Sequence, residues 1–113
     1  MDHLLPTLKI TSLSSRTVEL AWLHPSKTRK ELLNDIFYQV SRAELENLTF
    51  EVAYVGKDRM CSVAELKPLT KYVFKLRIGR MEEDELMHWS DGFAELEITT
   101  AGTRFFYCKA IDM

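Results

Sequence analysis

The chain has little of what most chemistries require. Its 113 residues include only 4 glycines, 3 prolines and 2 cysteines. No glycine-rich loop is present to cradle a phosphate, and no GxSxG, HExxH or CxxC motif occurs. His3, His24 and His88 fall at the terminus and in two connecting segments, without a Cys or Ser at a motif spacing. Nothing therefore assembles a nucleophile, a base and an orienting group. Neither enzyme activity nor a cofactor is expected. The formal net charge is -2, with 15 basic and 17 acidic residues, so the basic face of a nucleic-acid module is not expected. No apolar run approaches the roughly 20 residues of a membrane span, and no membrane partner is expected. Residues 1–6 lack the basic and long apolar regions of a signal peptide. Cys61 and Cys108 could form at most one disulfide. Cys61 stands two residues before Val63 in a strand-like run and reads as a small inward hydrophobe, and Cys108 lies in a C-terminal tail. Two free thiols in a reducing, intracellular compartment are expected.

What is present is strand pattern. The chain is 46% hydrophobic and of single-domain length. Its most informative stretch is residues 66–78. Pro68 fixes φ and cannot donate to a sheet ladder, so it marks a turn. Beyond it, Tyr72, Phe74, Leu76 and Ile78 alternate with Lys71, Val73, Lys75 and Arg77. A period of two puts the first set on a buried face and most of the charge in water. A Tyr just after such a turn is the mark of a tyrosine corner, its phenol against the core and its OH bonded to nearby backbone.

Leu4, Leu8 and Ile10 suggest a first strand, broken by Pro6 and ended by residues 12–16. Residues 17–22 alternate cleanly, with Val18, Leu20 and Trp22 on one face, and Pro25 ends the run. Residues 26–35 are polar and charged and read as a loop, although Ser26 could cap a short helical turn through Leu32 and Leu33. Strands follow at 36–42, with Tyr38 and Val40 inward, at 50–55 after a turn at Asn47, and at 60–63. Leu66 reaches into the core after the last of these. Residues 71–79 form the strand already described, 80–88 an acidic connection, and 93–99 a closing strand. About seven short antiparallel strands at regular spacing predict an all-β sandwich.

The order of these features resembles a fibronectin type III domain over residues 4–100. The resemblance rests on Trp22 in the second strand, Tyr38 in the third, and Leu66-x-Pro68-x-Thr70-x-Tyr72 entering the sixth. Trp89-Ser90 before the last strand and Thr99-Thr100 at its end complete it. It implies an immunoglobulin-like sandwich with many binding functions and few catalytic ones. The family's usual Gly in the corner turn is replaced by Leu69, and the connection between the second and third strands is longer than usual. Residues 17–22, the basic loop after them, and Ala53-Tyr54-Val55-Gly56 are similar to intracellular members found with ankyrin repeats. Residues 89–93 resemble half of the tryptophan-serine box of class I cytokine receptors. The second Trp-Ser is absent, with Gly92 and Phe93 in its place.

Candidate contact residues lie where loops leave this scaffold. Glu82, Glu83, Asp84 and Glu85 form an acidic run, but the Gly that a calcium loop uses to turn is missing. Met81, Leu86 and Met87 flank the acids and Trp89 follows. Apolar side chains beside charge, on a loop of a rigid sandwich, make a reasonable docking surface, while the plainer role is to cap the end of the core. Lys75 and Arg77 are expected on the outer sheet face, with Trp89 beside them across the adjoining strand. A cation–π ladder there would order the surface rather than bind a ligand. Trp22 is expected to be core. Asn47-Leu48-Thr49 is a glycosylation sequon. Residues 103–111 lie past the expected domain end yet carry Phe105, Phe106 and Tyr107 in succession. Leaving large apolar side chains in water forgoes roughly 1.5–3 kcal/mol each. That segment could pack on its own domain, seed a following one, or pair with another chain at a sheet edge. The reading is a domain over residues 1–102 and an aromatic extension or linker over 103–113. The whole is expected to be a non-catalytic protein–protein interaction or scaffold module of a larger intracellular protein. Its partner would be another protein, or a second copy through the aromatic segment. An extracellular receptor or adhesion domain and a structural spacer are the competing classes.

Overall fold

The computed structural model describes residues 6–23, 36–81, 83 and 85–102. Eight antiparallel strands make two sheets: β1 (Thr7–Leu13), β2 (Val18–Leu23), β3 (Ile36–Glu44), β4 (Glu51–Gly56), β5 (Met60–Val63), β6 (Lys71–Met81), β7 (Met87–Trp89) and β8 (Ala94–Thr99). The smaller sheet has the order β1-β2-β5. The larger runs β4-β3-β6-β7, with β8 also pairing β6.

Alternation explains the core. Val18, Leu20 and Trp22 of β2 are buried, with the charged and smaller residues between them turned outward. They meet Ile36, Tyr38 and Val40 of β3, Tyr72, Phe74 and Leu76 of β6, and Ile98 of β8 across the sandwich. Trp22 is 1% exposed, and its ring tilts against Tyr38 at a centroid distance of 5.6 Å and Tyr54 at 6.1 Å. Cys61 stands opposite Leu20 in the smaller sheet, packs against the core and is a free thiol. Burial pushes that thiol up to about 11.

The turn before β6 is the expected tyrosine corner. The Lys67 N–H donates to the Tyr72 hydroxyl oxygen at 2.8 Å, and Tyr72 is buried. Thr100, 2% exposed, ties the same turn to the end of β8. Its hydroxyl donates to the Lys67 carbonyl at 2.5 Å and accepts from the Thr70 N–H at 2.9 Å. Leu69, where the resembling family has Gly, holds φ at 54°.

Two expectations need correction. The segment 80–88 is not one connection, because β6 continues to Met81 and β7 returns alongside it, pairing Met81 with Met87 and Gly79 with Trp89. The closing strand is β8, where it was expected, and the short β7 before it brings the strands among the described residues to eight. The chain leaves the ladder at Ser90, whose hydroxyl accepts from the Ile78 N–H at 3.2 Å and donates to the Gly92 carbonyl at 3.0 Å. That local bonding pulls residues 90–93 out of register before β8 pairs lower down β6. Val73, grouped with the outward residues, is 6% exposed, beside Ala43 of β3, itself 3% exposed. The expected loop at 26–35 lies outside the described residues.

Candidate interaction surface: an aromatic–cation face and a hairpin tip

The outer face of the larger sheet is built by the odd-numbered residues of β6. Pairing places Gly79 between Phe37 and Trp89, Arg77 opposite Gln39, and Lys75 between Ser41 and Glu95. Cations and rings then interleave. The Arg77 guanidinium lies 4.7 Å from the Trp89 ring centre and 5.8 Å from that of Phe93. Its Nε donates to Gln39 Oε1 at 2.8 Å, which fixes the plane that stacks. The Lys75 ammonium lies 5.0 Å from the Phe93 ring centre and 4.6 Å from that of Phe50, with Glu95 at 3.9 Å. The sequence places Lys75, Arg77 and Trp89 together. It does not show Phe50 and Phe93 joining them, because the alternation starts strands at those two residues, whereas in the structure Phe50 precedes β4 and Phe93 sits in the break between β7 and β8. A third cation, Lys57, lies 5.1 Å from the Phe37 ring centre.

Trp89 is held flat by a glycine. A Cβ added at Gly79 would sit 2.5 Å from Trp89 Cε3 and 2.9 Å from Met87 Sδ, so indole and thioether both occupy the space of the missing side chain. Met87 and Trp89 are consequently half-buried. Beyond them the β6–β7 hairpin projects. At its tip Met81 is 38% and Leu86 62% exposed, beside exposed Glu83 and Glu85. Glu85 turns the chain at φ 64°. Glu82 and Asp84 lie outside the described residues, as do Phe105, Phe106 and Tyr107. The structure thus joins Met81, Glu83, Glu85, Leu86, Met87 and Trp89 in one hairpin. Among the described residues, no group of three or more His, Cys, Asp or Glu could hold a metal ion, and no helix is long and apolar enough to cross a membrane.

The architecture decides the fold. A structure of the fibronectin type III domain of human fibronectin type III domain containing protein 3 superposes with a TM-score of 0.67 at 24% identity, covering 88% of this chain and 87% of that one. The chain has the fibronectin type III fold. A second fibronectin type III domain, from human KIAA0970 protein, superposes with a TM-score of 0.66 at 19% identity, over 88% of this chain and 74% of that one. A crystal structure of titin domains gives 0.61 at 17% identity, over 85% of this chain and 31% of that one. No family model and no curated protein sequence matches. In fibronectin type III terms, the hairpin tip joins the sixth strand to the first half of an interrupted seventh.

Proposed function

We propose that this chain is a non-catalytic protein–protein interaction module of a larger intracellular protein, and that it recognises its partner through the β6–β7 hairpin. The observation that carries this reading is the exposure of Met81 and Leu86 beside acidic neighbours, on a hairpin braced by Trp89 over Gly79. Ordered side chains lose little entropy on binding, and an apolar pair rimmed by acids suits a partner with an apolar pocket edged by Lys or Arg. The test is capture from cell extract on the immobilised chain, comparing it with Met81→Ser/Leu86→Ser and with a Val52→Ser control on β4. A protein retained by the chain and the control but lost by the hairpin variant is the expected result. Equal retention by all three would instead favour a spacer.

One observation favours a second reading. Asn47 and Thr49 are both exposed, and Asn47 Oδ1 accepts the Thr49 N–H at 2.9 Å in an open turn. An extracellular ligand-binding domain would carry a glycan there. Secreted expression with mass analysis distinguishes the two, since a glycosylated, folded chain would support the extracellular class.

A further inference from the structure

β8 differs from the other edge strands. It pairs with β6 without a register shift, from Thr99 opposite Lys71 to Ala94 opposite Leu76. By contrast β1 and β4 are each shifted once against their neighbours, and β5 and β7 have only 4 and 3 residues. Among the described residues β8 pairs with β6 alone. The N–H and C=O groups of every second residue therefore point away from the sheet, along an edge about 20 Å long. A straight, regular edge of this kind is a template for one more strand.

The two sides of this edge differ in chemistry. On the inner side, Ile10 and Leu13 of β1 stand opposite buried Leu20 and Val18, which turns them toward the interior. They are nevertheless 37% and 40% exposed. β1 touches β8 across the sandwich, and the Ala101 N–H donates to the Ser14 carbonyl at 3.1 Å, so the sheets are incompletely closed along this margin. On the outer side, Glu95, Glu97 and Thr99 are exposed. Glu97 faces Val73 and has no ion-pair partner among the described residues. Glu95 has the Lys75 ammonium only at 3.9 Å, with its own side chain 59% exposed. We infer that β8 accepts an extended segment of a partner protein as an added strand, and that this segment alternates Lys or Arg with apolar residues. Main-chain bonds to β8 hold it, its cations meet Glu95 and Glu97 on the outer face, and its apolar residues extend the cover over Ile10 and Leu13. A second copy is a poor occupant, because its own β8 would bring two more carboxylates beside the first two. The site is separate from the β6–β7 hairpin, so either can fail without the other.

The test titrates the isotope-labelled full-length chain with a short synthetic peptide of alternating lysine and valine. Amides of residues 94–99 should shift, and solvent exchange of the outward-facing ones should slow by about tenfold, while Met81 and Leu86 stay silent. A peptide alternating glutamate with valine, and the lysine peptide with every amide N-methylated, should both leave exchange unchanged. The Glu95→Lys/Glu97→Lys chain should reverse the preference and take the glutamate peptide, which a loss of folding could not produce. Equal binding of the methylated peptide would mean attraction by charge without strand addition, and would overturn the inference. So would unchanged amides at residues 94–99 with millimolar lysine peptide. Slow exchange of the outward β8 amides before any peptide is added would overturn it as well. If that protection grew with concentration, the occupant would be a second copy, and if not, a segment of the chain itself.

Discussion

At the scale of single residues, the corner turn shows how one atom closes the fold. The Tyr72 hydroxyl is the acceptor for the Lys67 N–H. Replacing it by Phe keeps the ring in the core and orphans that N–H, which costs about 1–3 kcal/mol. Tyr72→Phe is therefore expected to lower the urea midpoint by that equivalent with an unchanged m-value. Scarcity of glycine has a visible consequence. Leu48, Glu65, Leu69 and Glu85 hold positive φ, while none of the glycines does. A left-handed conformation costs an L-residue with a Cβ roughly 1–2 kcal/mol, offset in part by the greater unfolded freedom of Gly. Exposed Glu65, at φ 61°, is the clean place to see this. Glu65→Gly should raise stability by about 0.5 kcal/mol, read by chemical denaturation. Cys61 adds a pH dependence. Its folded thiol keeps its proton up to about 11, against 9.0 unfolded, so the unfolded state releases a proton first. This contribution is fully present below pH 9.0 and is lost as pH rises towards 11. The alkaline fall in stability should accordingly be shallower in Cys61→Ala, measured by urea titrations between those values.

At the scale of elements, the hairpin and the aromatic–cation face depend on each other. Gly79 leaves the space in which Trp89 lies, and Trp89 carries Arg77. Gly79→Ala forces the indole away and costs about 1–3 kcal/mol by overpacking. The expected signature is a displaced Trp89 indole resonance together with altered Arg77 Nε exchange, leaving Trp22 unmoved in the core. Edge strands are also managed. β1 and β4 each contain a register shift against their neighbours, and β5 and β7 have only 4 and 3 residues. Bulges and short edges oppose strand addition by another chain. Strand positions were largely legible in the sequence, because period-two alternation at Val18–Leu20–Trp22 and Tyr72–Phe74–Leu76 has no other good solution. The short β7 was not, since three residues carry too little alternation to show a strand and it forms only by pairing back on the end of β6. Val73 was misjudged for a related reason. Its alternation is outward, but its neighbour Ala43 across the sheet is buried too, and lateral packing of that kind leaves no period in one strand.

At the scale of the whole molecule, the two poles carry different work. One end of β6 is stitched by Tyr72 and Thr100, and the other presents an acidic, apolar hairpin on a braced sheet. With most of its edge strands bulged or short, the 13.2 kDa chain should run as a monomer. Light scattering after size exclusion would show a constant mass across a wide concentration range, and a concentration-dependent dimer would contradict it. The candidate site was only partly visible beforehand. Exposed Met81 and Leu86 among acids can be read from composition, whereas bracing by Gly79 depends on register and needs the structure. The most direct measurement of the proposed recognition is a map of amide shifts in the isotope-labelled chain when the captured partner is added. Shifts concentrated on Met81, Glu83, Glu85, Leu86 and Trp89, with the β1-β2-β5 sheet silent, are the expected result. Shifts confined to another face, or none at saturating partner, would contradict it.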